Sequence, residues 1–136
     1  MKAAQLKYSN DFNNLSTSAL DFFTSGLTFT LAAGFTTGAL NSPHNYSNNQ
    51  NYTATLLTPI TVAAAKAELL YDDIALVEPG EPNSKFGEED FYDYVVVEGS
   101  KDFGKTWKPL ADGYDARDDA RWLAAFNANQ SGTPTM

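Results

Sequence analysis

The most distinctive stretch of the sequence is the octet SKDFGKTW at residues 100–107, which has the form S-x-D-x-G-x-T-W. Such residues could serve a catalytic site, a ligand clamp or a turn. An aspartate carboxylate accepts hydrogen bonds from backbone amides a few residues ahead, and glycine adopts a positive φ without steric cost. A tryptophan beside the turn adds a large apolar ring with one N–H donor. We therefore predict a self-contained structural turn that needs no substrate, built from Ser100, Asp102, Gly104, Thr106 and Trp107.

Acidic side chains crowd the region between residues 72 and 93, and their oxygens suit Ca²⁺, which takes 6–8 oxygen ligands. The spacing of an EF-hand loop is absent. Two interpretations stay open, a solvated acidic loop and a calcium site. If calcium binds, the expected ligands are Glu88, Glu89, Asp90 and Asp93, and no other cofactor is predicted.

No catalytic residues are predicted. A pair of carboxylates could act as acid and base in glycoside hydrolysis, but the sequence does not give the separation that this chemistry requires. The one histidine, His44, lies in an Asn-rich segment that is typical of a surface loop. The chain has no cysteine, which excludes disulfide frameworks and thiolate metal sites.

Aromatic residues in the C-terminal half suggest either a core or a surface for sugar rings. We expect Phe91 and Trp107 to lie in the core, since aromatic residues on strands usually fill one. Tyr114 and Trp122 occupy a less regular region, and they are the candidate platform for a carbohydrate ligand.

The charge of the chain limits its partners. The formal net charge is −8, and residues 69–136 carry all of it, because the first half balances three lysines against three acids. An acidic surface repels phosphate backbones and anionic membranes, so we expect neither nucleic acid nor membrane insertion. No apolar run is long enough to span a bilayer, and the N-terminus lacks the apolar region of a signal peptide. The chain is therefore expected to stay inside the cell or to be a piece of a longer exported protein.

Short β-prone segments separated by turn-forming residues dominate the sequence. Residues 9–26 are expected to form a loop, and residues 117–126 a short helix or an irregular arm. The stretch at 63–71 fits a helix or a strand, and its strand-like neighbours favour a strand. No strand is followed by a long amphipathic helix, so we predict one all-β domain over residues 1–136, an antiparallel β-sandwich. The predicted strands include residues 27–31, 52–62, 63–71, 74–78 and 91–100.

The octet resembles the Asp-box, a structural hairpin motif known from sialidases and other β-propellers. In a wider region, residues 56–60, 67–71 and 93–107 resemble a jelly-roll module, MAM-like or galactose-binding-like, of exported bacterial multidomain proteins. This resemblance implies a jelly-roll sandwich and a non-catalytic binding or adhesion role outside the cell or at its surface. A carbohydrate or a cell-surface protein would be the partner. The alternatives are a structural spacer domain and a fragment of a glycoside hydrolase or protease.

Modules of this kind usually continue past the tryptophan hairpin to a G-W-x-I-D segment, which this sequence lacks. We therefore expect a sandwich without its final strands, whose open sheet edge pairs with another chain or is covered. Residues 115–126 are the favoured cover, since Trp122, Leu123 and Phe126 would share one side of a short helix.

Overall fold

The computed structural model describes residues 2–31, 34–43 and 45–129, so the predicted loop position of His44 lies outside the described residues. The chain divides into two compact units, Met1–Tyr71 and Asp72–Met136. The described elements are α1 (Leu15–Asp21), β1 (Phe22–Ser25), β2 (Thr28–Thr30), β3 (Ala39–Asn41), β4 (Thr53–Leu56), β5 (Glu98–Gly99), β6 (Lys108–Pro109), a 3₁₀ turn (Ala116–Asp118) and α2 (Ala120–Ala128).

The described strands pair as three two-stranded antiparallel sheets, β1 with β4, β2 with β3, and β5 with β6. The predicted antiparallel β-structure is confirmed in this coarse form. The predicted strand at residues 27–31 is present as β2, and the one at 52–62 is present in part as β4. Each of these sheets has two open edges within the described chain, and self-association through such an edge remains a prediction.

The expected loop at residues 9–26 is wrong, because the first unit contains α1 and β1 there. The Asn14 side chain caps α1 by accepting a hydrogen bond from the Thr17 amide at 3.0 Å. Asn10 then accepts hydrogen bonds from the Phe12 amide at 2.7 Å and the Ser18 hydroxyl at 3.1 Å. Asparagine and serine are turn formers, but here their oxygens satisfy the free donors at the start of a helix.

The first unit contains a cluster of half-buried aromatic rings. The rings of Phe12, Phe22 and Phe29 lie with centroids 5.9 to 6.2 Å apart, and Tyr8 meets Phe22 edge to face at 6.2 Å. These rings join the segment before α1 to β1 and β2 through aromatic contacts.

The predicted strand at residues 63–71 is wrong. The structure has neither helix nor strand there, and every residue from 60 to 72 is exposed. Lys66 has a φ of 58°, which interrupts an extended backbone. The alanines of this stretch bury little apolar area, so pairing with a sheet would gain too little to order them.

In the second unit the strands predicted at residues 74–78 and 91–100 are mostly absent. No strand covers 74–78, although Ala75 is buried. Within 91–100 only β5 and an antiparallel bridge between Val95 and Tyr114 are formed. The valine-rich pattern is real, but its backbone hydrogen bonds are confined to the Val95–Tyr114 bridge and to the short pairing of β5 with β6.

The side chains of Asp115 and Arg117 hold the loop after Pro79. Asp115 is 0% exposed, and its carboxylate accepts hydrogen bonds from the Gly80 amide at 3.0 Å and the Arg117 amide at 2.8 Å. The Arg117 guanidinium lies 2.7 Å from the same carboxylate. It also donates to the carbonyl of Glu81 and sits 5.1 Å from the centroid of the Phe91 ring. One ion pair therefore ties the loop after Pro79 to the start of the C-terminal arm.

The C-terminal arm forms the predicted short helix as α2. Its N-cap is Asp119, whose carboxylate accepts a hydrogen bond from the Arg121 amide at 2.8 Å. Trp122, Leu123 and Phe126 are all half-buried, as expected for residues on the covered side of a helix.

Replacing Asp115 by Asn should lower the free energy of unfolding by about 2–4 kcal/mol. Breaking one member of a buried ion pair costs ~3–5 kcal/mol, and the figure is reduced because the Arg117 side chain is 24% exposed. Asp119→Asn is the matched control, since Asp119 makes the same type of pair with Arg121, which is 79% exposed. Urea denaturation measures both. An equal loss for the two variants would show that burial of the Asp115 pair contributes nothing.

The stability conferred by Asp115 should depend on pH in a defined direction. Burial raises the pKa of this carboxyl, but hydrogen bonds from Arg117 and Gly80 outweigh burial, so its pKa lies below the ordinary value. A lowered native pKa gives a stabilisation that is complete above the unfolded pKa of ~3.9 and is lost as pH falls through the native pKa. The difference in unfolding free energy between the native chain and Asp115→Asn should thus be constant near neutrality and shrink below pH ~4. A difference that grows on acidification would contradict this assignment.

Candidate functional site

The SKDFGKTW octet folds as a turn that satisfies its own polar groups. Asp102 Oδ1 accepts hydrogen bonds from the Thr106 amide at 2.8 Å and from the Ser100 hydroxyl at 2.9 Å, and Oδ2 accepts from the Thr106 hydroxyl at 2.6 Å. The Ser100 oxygen in turn accepts from the Gly104 amide at 2.7 Å. Gly104 has a φ of 86°, the left-handed conformation predicted for it. The polar groups of the motif are therefore directed at the turn itself.

The electrostatics of Asp102 follow from the same bonds. Its pKa is lowered, first by the hydrogen bond from the Thr106 hydroxyl, then by the Thr106 amide and the Ser100 hydroxyl. A carboxylate that is kept ionised and fully engaged is poorly suited to act as a general acid or base.

The expected burial of Trp107 is wrong, while that of Phe91 is confirmed. Phe91 is 9% exposed, whereas Trp107 is 43% exposed. Because β5 and β6 form a sheet of two strands, no further layer covers the tryptophan. Its indole N–H donates to the Gly104 carbonyl at 3.2 Å, so the ring lies along its own turn.

The four acids proposed as calcium ligands are not gathered into one site. Within residues 2–31, 34–43 and 45–129 the structure contains no group of three or more His, Cys, Asp or Glu side chains that could hold a metal ion. Glu88 instead accepts a hydrogen bond from the Lys85 amide at 2.7 Å. The calcium site at Glu88, Glu89, Asp90 and Asp93 remains a prediction.

The two residues of the candidate platform do come together. The rings of Tyr114 and Trp122 lie 6.2 Å apart between centroids, with 32° between their planes, and both residues are half-buried. Each ring therefore keeps part of its surface open to solvent.

Separate elements hold the two rings. Tyr114 exchanges backbone hydrogen bonds with Val95 at 2.9 and 3.0 Å, and its hydroxyl donates to the Asp73 carboxylate. Trp122 projects from the first turn of α2, whose position depends on the buried Asp115 just before it. Fixed backbone and fixed hydroxyl together leave little rotational freedom to the Tyr114 ring.

Sequence reasoning missed the supporting residues of this platform. Asp73 is 41 residues from Tyr114 in sequence, and no local pattern connects them. The cap formed by Asp115 does have a sequence signal, because Asp115 and Asp118 have the spacing of a capping box, and they form one in the structure. The burial of Asp115 against Gly80 carries no sequence signal.

Comparison with known proteins identifies no relative: no family model matches the chain, and no curated protein or solved structure matches it significantly. In the described part of the chain, no helix has the length and apolar character needed to cross a membrane.

Removing the carboxylate of the turn should destabilise the hairpin without changing ligand binding. In Asp102→Ala the Thr106 amide and the hydroxyls of Ser100 and Thr106 lose their shared acceptor. The midpoint of thermal unfolding should fall, and it should fall further than in Lys101→Ala, a neighbouring exposed position. Circular dichroism gives both midpoints. Equal midpoints for the two variants would contradict a structural role for Asp102.

Proposed function

We propose that the protein is a non-catalytic carbohydrate-binding module and that its ligand lies on the ring pair of Tyr114 and Trp122. The observation that carries this proposal is the arrangement of the two rings, half-buried and 6.2 Å apart with a tilt of 32°. Sugars present apolar C–H faces, and aromatic rings offer large, rigid, apolar surfaces with polar tips that can match them. Neighbouring rings at this spacing could both contact one ligand.

The rigidity of the pair supports a binding role. The backbone of Tyr114 is fixed by its bridge to Val95, and its hydroxyl is fixed by Asp73. Trp122 lies on a capped helix. A surface that is already ordered before binding loses less conformational entropy when the ligand arrives.

The charge of the second unit narrows the class of carbohydrate. Residues 72–136 carry the whole net charge of −8. Such a field repels uronic acids, sialic acids and sulfated sugars before contact. We therefore propose neutral glycans as the ligand.

The proposal extends to the architecture and location of the protein. The small antiparallel sheets and the single Asp-box-like hairpin support a divergent member of the jelly-roll modules of exported bacterial proteins. In that setting the module would act outside the cell or at its surface, and cell fractionation with an antibody against the chain tests this location. Recovery in the cytosolic fraction alone would refute it.

Fluorescence of the two tryptophans tests the platform directly. The chain has two tryptophans, so Trp107→Phe leaves Trp122 as the sole reporter. Titrating this variant with neutral oligosaccharides chosen from a glycan array should shift the Trp122 emission. In Trp122→Leu binding should weaken at least tenfold, while Trp107→Phe should bind as the native chain does.

Two controls separate loss of binding from loss of folding. Circular dichroism must show that Trp122→Leu remains folded, and Tyr114→Phe, which keeps the ring but loses the hydroxyl, should retain most of the affinity. Unchanged binding in a folded Trp122→Leu variant would refute the platform. Absence of binding to every neutral glycan on the array would refute the carbohydrate proposal.

A further inference from the structure

The first unit contains a polar cavity that the carbohydrate platform does not involve. It is an open depression with a volume of about 440 Å³, and most of the residues that line it are exposed to solvent. It lies between the N-terminal segment, the end of α1 and the residues after β4. The N-terminal segment is fixed there because the Gln5 amide donates to the Pro59 carbonyl at 2.9 Å, and the Thr61 amide donates to the Gln5 carbonyl at 2.8 Å.

One side of the cavity is neutralised by its own residues. Lys2 forms an ion pair with Asp21, and the Tyr8 hydroxyl donates to the second oxygen of the same carboxylate at 2.9 Å. The pKa of Asp21 is lowered, first by the Lys2 hydrogen bond and then by that from Tyr8, so the carboxylate stays ionised. The charge of Lys2 is therefore compensated before any ligand enters.

The other side of the cavity presents polar groups that no described residue engages. Lys7 lines the cavity without an ion pair or hydrogen bond to any described residue. Thr58 also lines it, is 3% exposed, and its hydroxyl has no hydrogen-bond partner among the described residues. The side chains of Gln5 and Ser9 are likewise unengaged within the described chain. Among the described residues the buried side-chain polar atom without a partner is Ser84 Oγ, in the second unit, so the Thr58 hydroxyl is open to the cavity and its water, as are the exposed side chains of Lys7, Gln5 and Ser9.

From these contacts we propose that the cavity binds a small polar molecule that carries one oxyanion, a carboxylate or a phosphate. Lys7 supplies one positive charge that no described residue pairs with, and this charge can neutralise one anionic group of a ligand. A ligand with several anionic groups would leave the others without a positive partner. Thr58, Ser9 and Gln5 supply neutral donors for the remaining oxygens of the group and for neighbouring hydroxyls. The first unit has no net charge, so it does not repel an anion as the second unit does.

Calorimetric titration of the Trp122→Leu variant, in which the platform does not contribute sugar binding, with three matched sugars tests the proposal. D-Glucuronate carries a carboxylate, glucose 6-phosphate carries a phosphate, and glucose carries neither. At least one of the two anions should bind at least tenfold more tightly than glucose, and which one does so identifies the source of the oxyanion. Binding should weaken as salt is raised, since it depends on one ion pair.

Variants at the cavity locate the binding site. Lys7→Met keeps most of the apolar stem but removes the charge, and it should weaken the preferred anion at least tenfold. Thr58→Val keeps the shape and removes the hydroxyl, and a severalfold loss is expected. Lys66→Met is the matched control, because Lys66 does not line the cavity, and it should leave affinity unchanged.

The result is independent of the carbohydrate platform. Trp122→Leu should bind the anion normally, so the failure of one site is distinguishable from the failure of the other. Failure of both anions to bind better than glucose would overturn the proposal. Equal loss in Lys7→Met and Lys66→Met would also overturn it, since the effect would then reflect overall charge rather than the cavity.

Discussion

The second unit depends on one buried carboxylate. Asp115 is 0% exposed, and an ionised group so deep requires that nearly every lone pair be engaged. Arg117, the Gly80 amide and the Arg117 amide meet that demand. Position 80 has no room for a side chain, because a Cβ there would come within 2.7 Å of the Asp90 carbonyl and 2.9 Å of the Arg117 guanidinium. The loop, the arginine and the start of the C-terminal arm are therefore mutually constrained, which compensates for a sheet of two strands.

The same chemistry has a different consequence where the side chains are more exposed to solvent. Asp119 and Arg121 repeat the cap and the ion pair of Asp115 and Arg117, and the Asp119 carboxylate likewise accepts hydrogen bonds from Nε and Nη2 of the guanidinium. The Arg121 hydrogen bond lowers the pKa of Asp119 to about 2. Because Arg121 is 79% exposed, water and salt screen that pair, and it fixes the start of α2 without joining distant segments. The Asp115 cap holds distant segments together because its carboxylate is buried, and an ion pair alone would not do so.

The sequence was informative where a structure is local and poor where it depends on distant partners. The turn at Asp102 and Gly104 and helix α2 are each set by neighbours within a few residues, and strand β2 pairs with the nearby β3, so each was predictable. The strand expected at residues 63–71 required a partner strand that nothing local guarantees. Residues 91–100 have strong β-character, yet only Glu98–Gly99 form a strand, because the partner strand β6 has only two residues. Residue type alone suggested that Tyr114 and Trp122 form one surface. No local sequence pattern indicates that Asp73 binds the Tyr114 hydroxyl.

Charge separates the two candidate sites more clearly than shape does. The platform lies in a unit whose residues carry the entire net charge of −8, and the cavity lies in a unit whose charges cancel. A carboxylate or phosphate approaching the platform meets repulsion from many acids, and aromatic contact alone offers no charge to offset it. At the cavity the same group meets Lys7, while Asp21 is already neutralised by Lys2. An acidic protein can thus admit an anion, provided that the binding lysine is distant in sequence from the acidic half and the local carboxylate is paired.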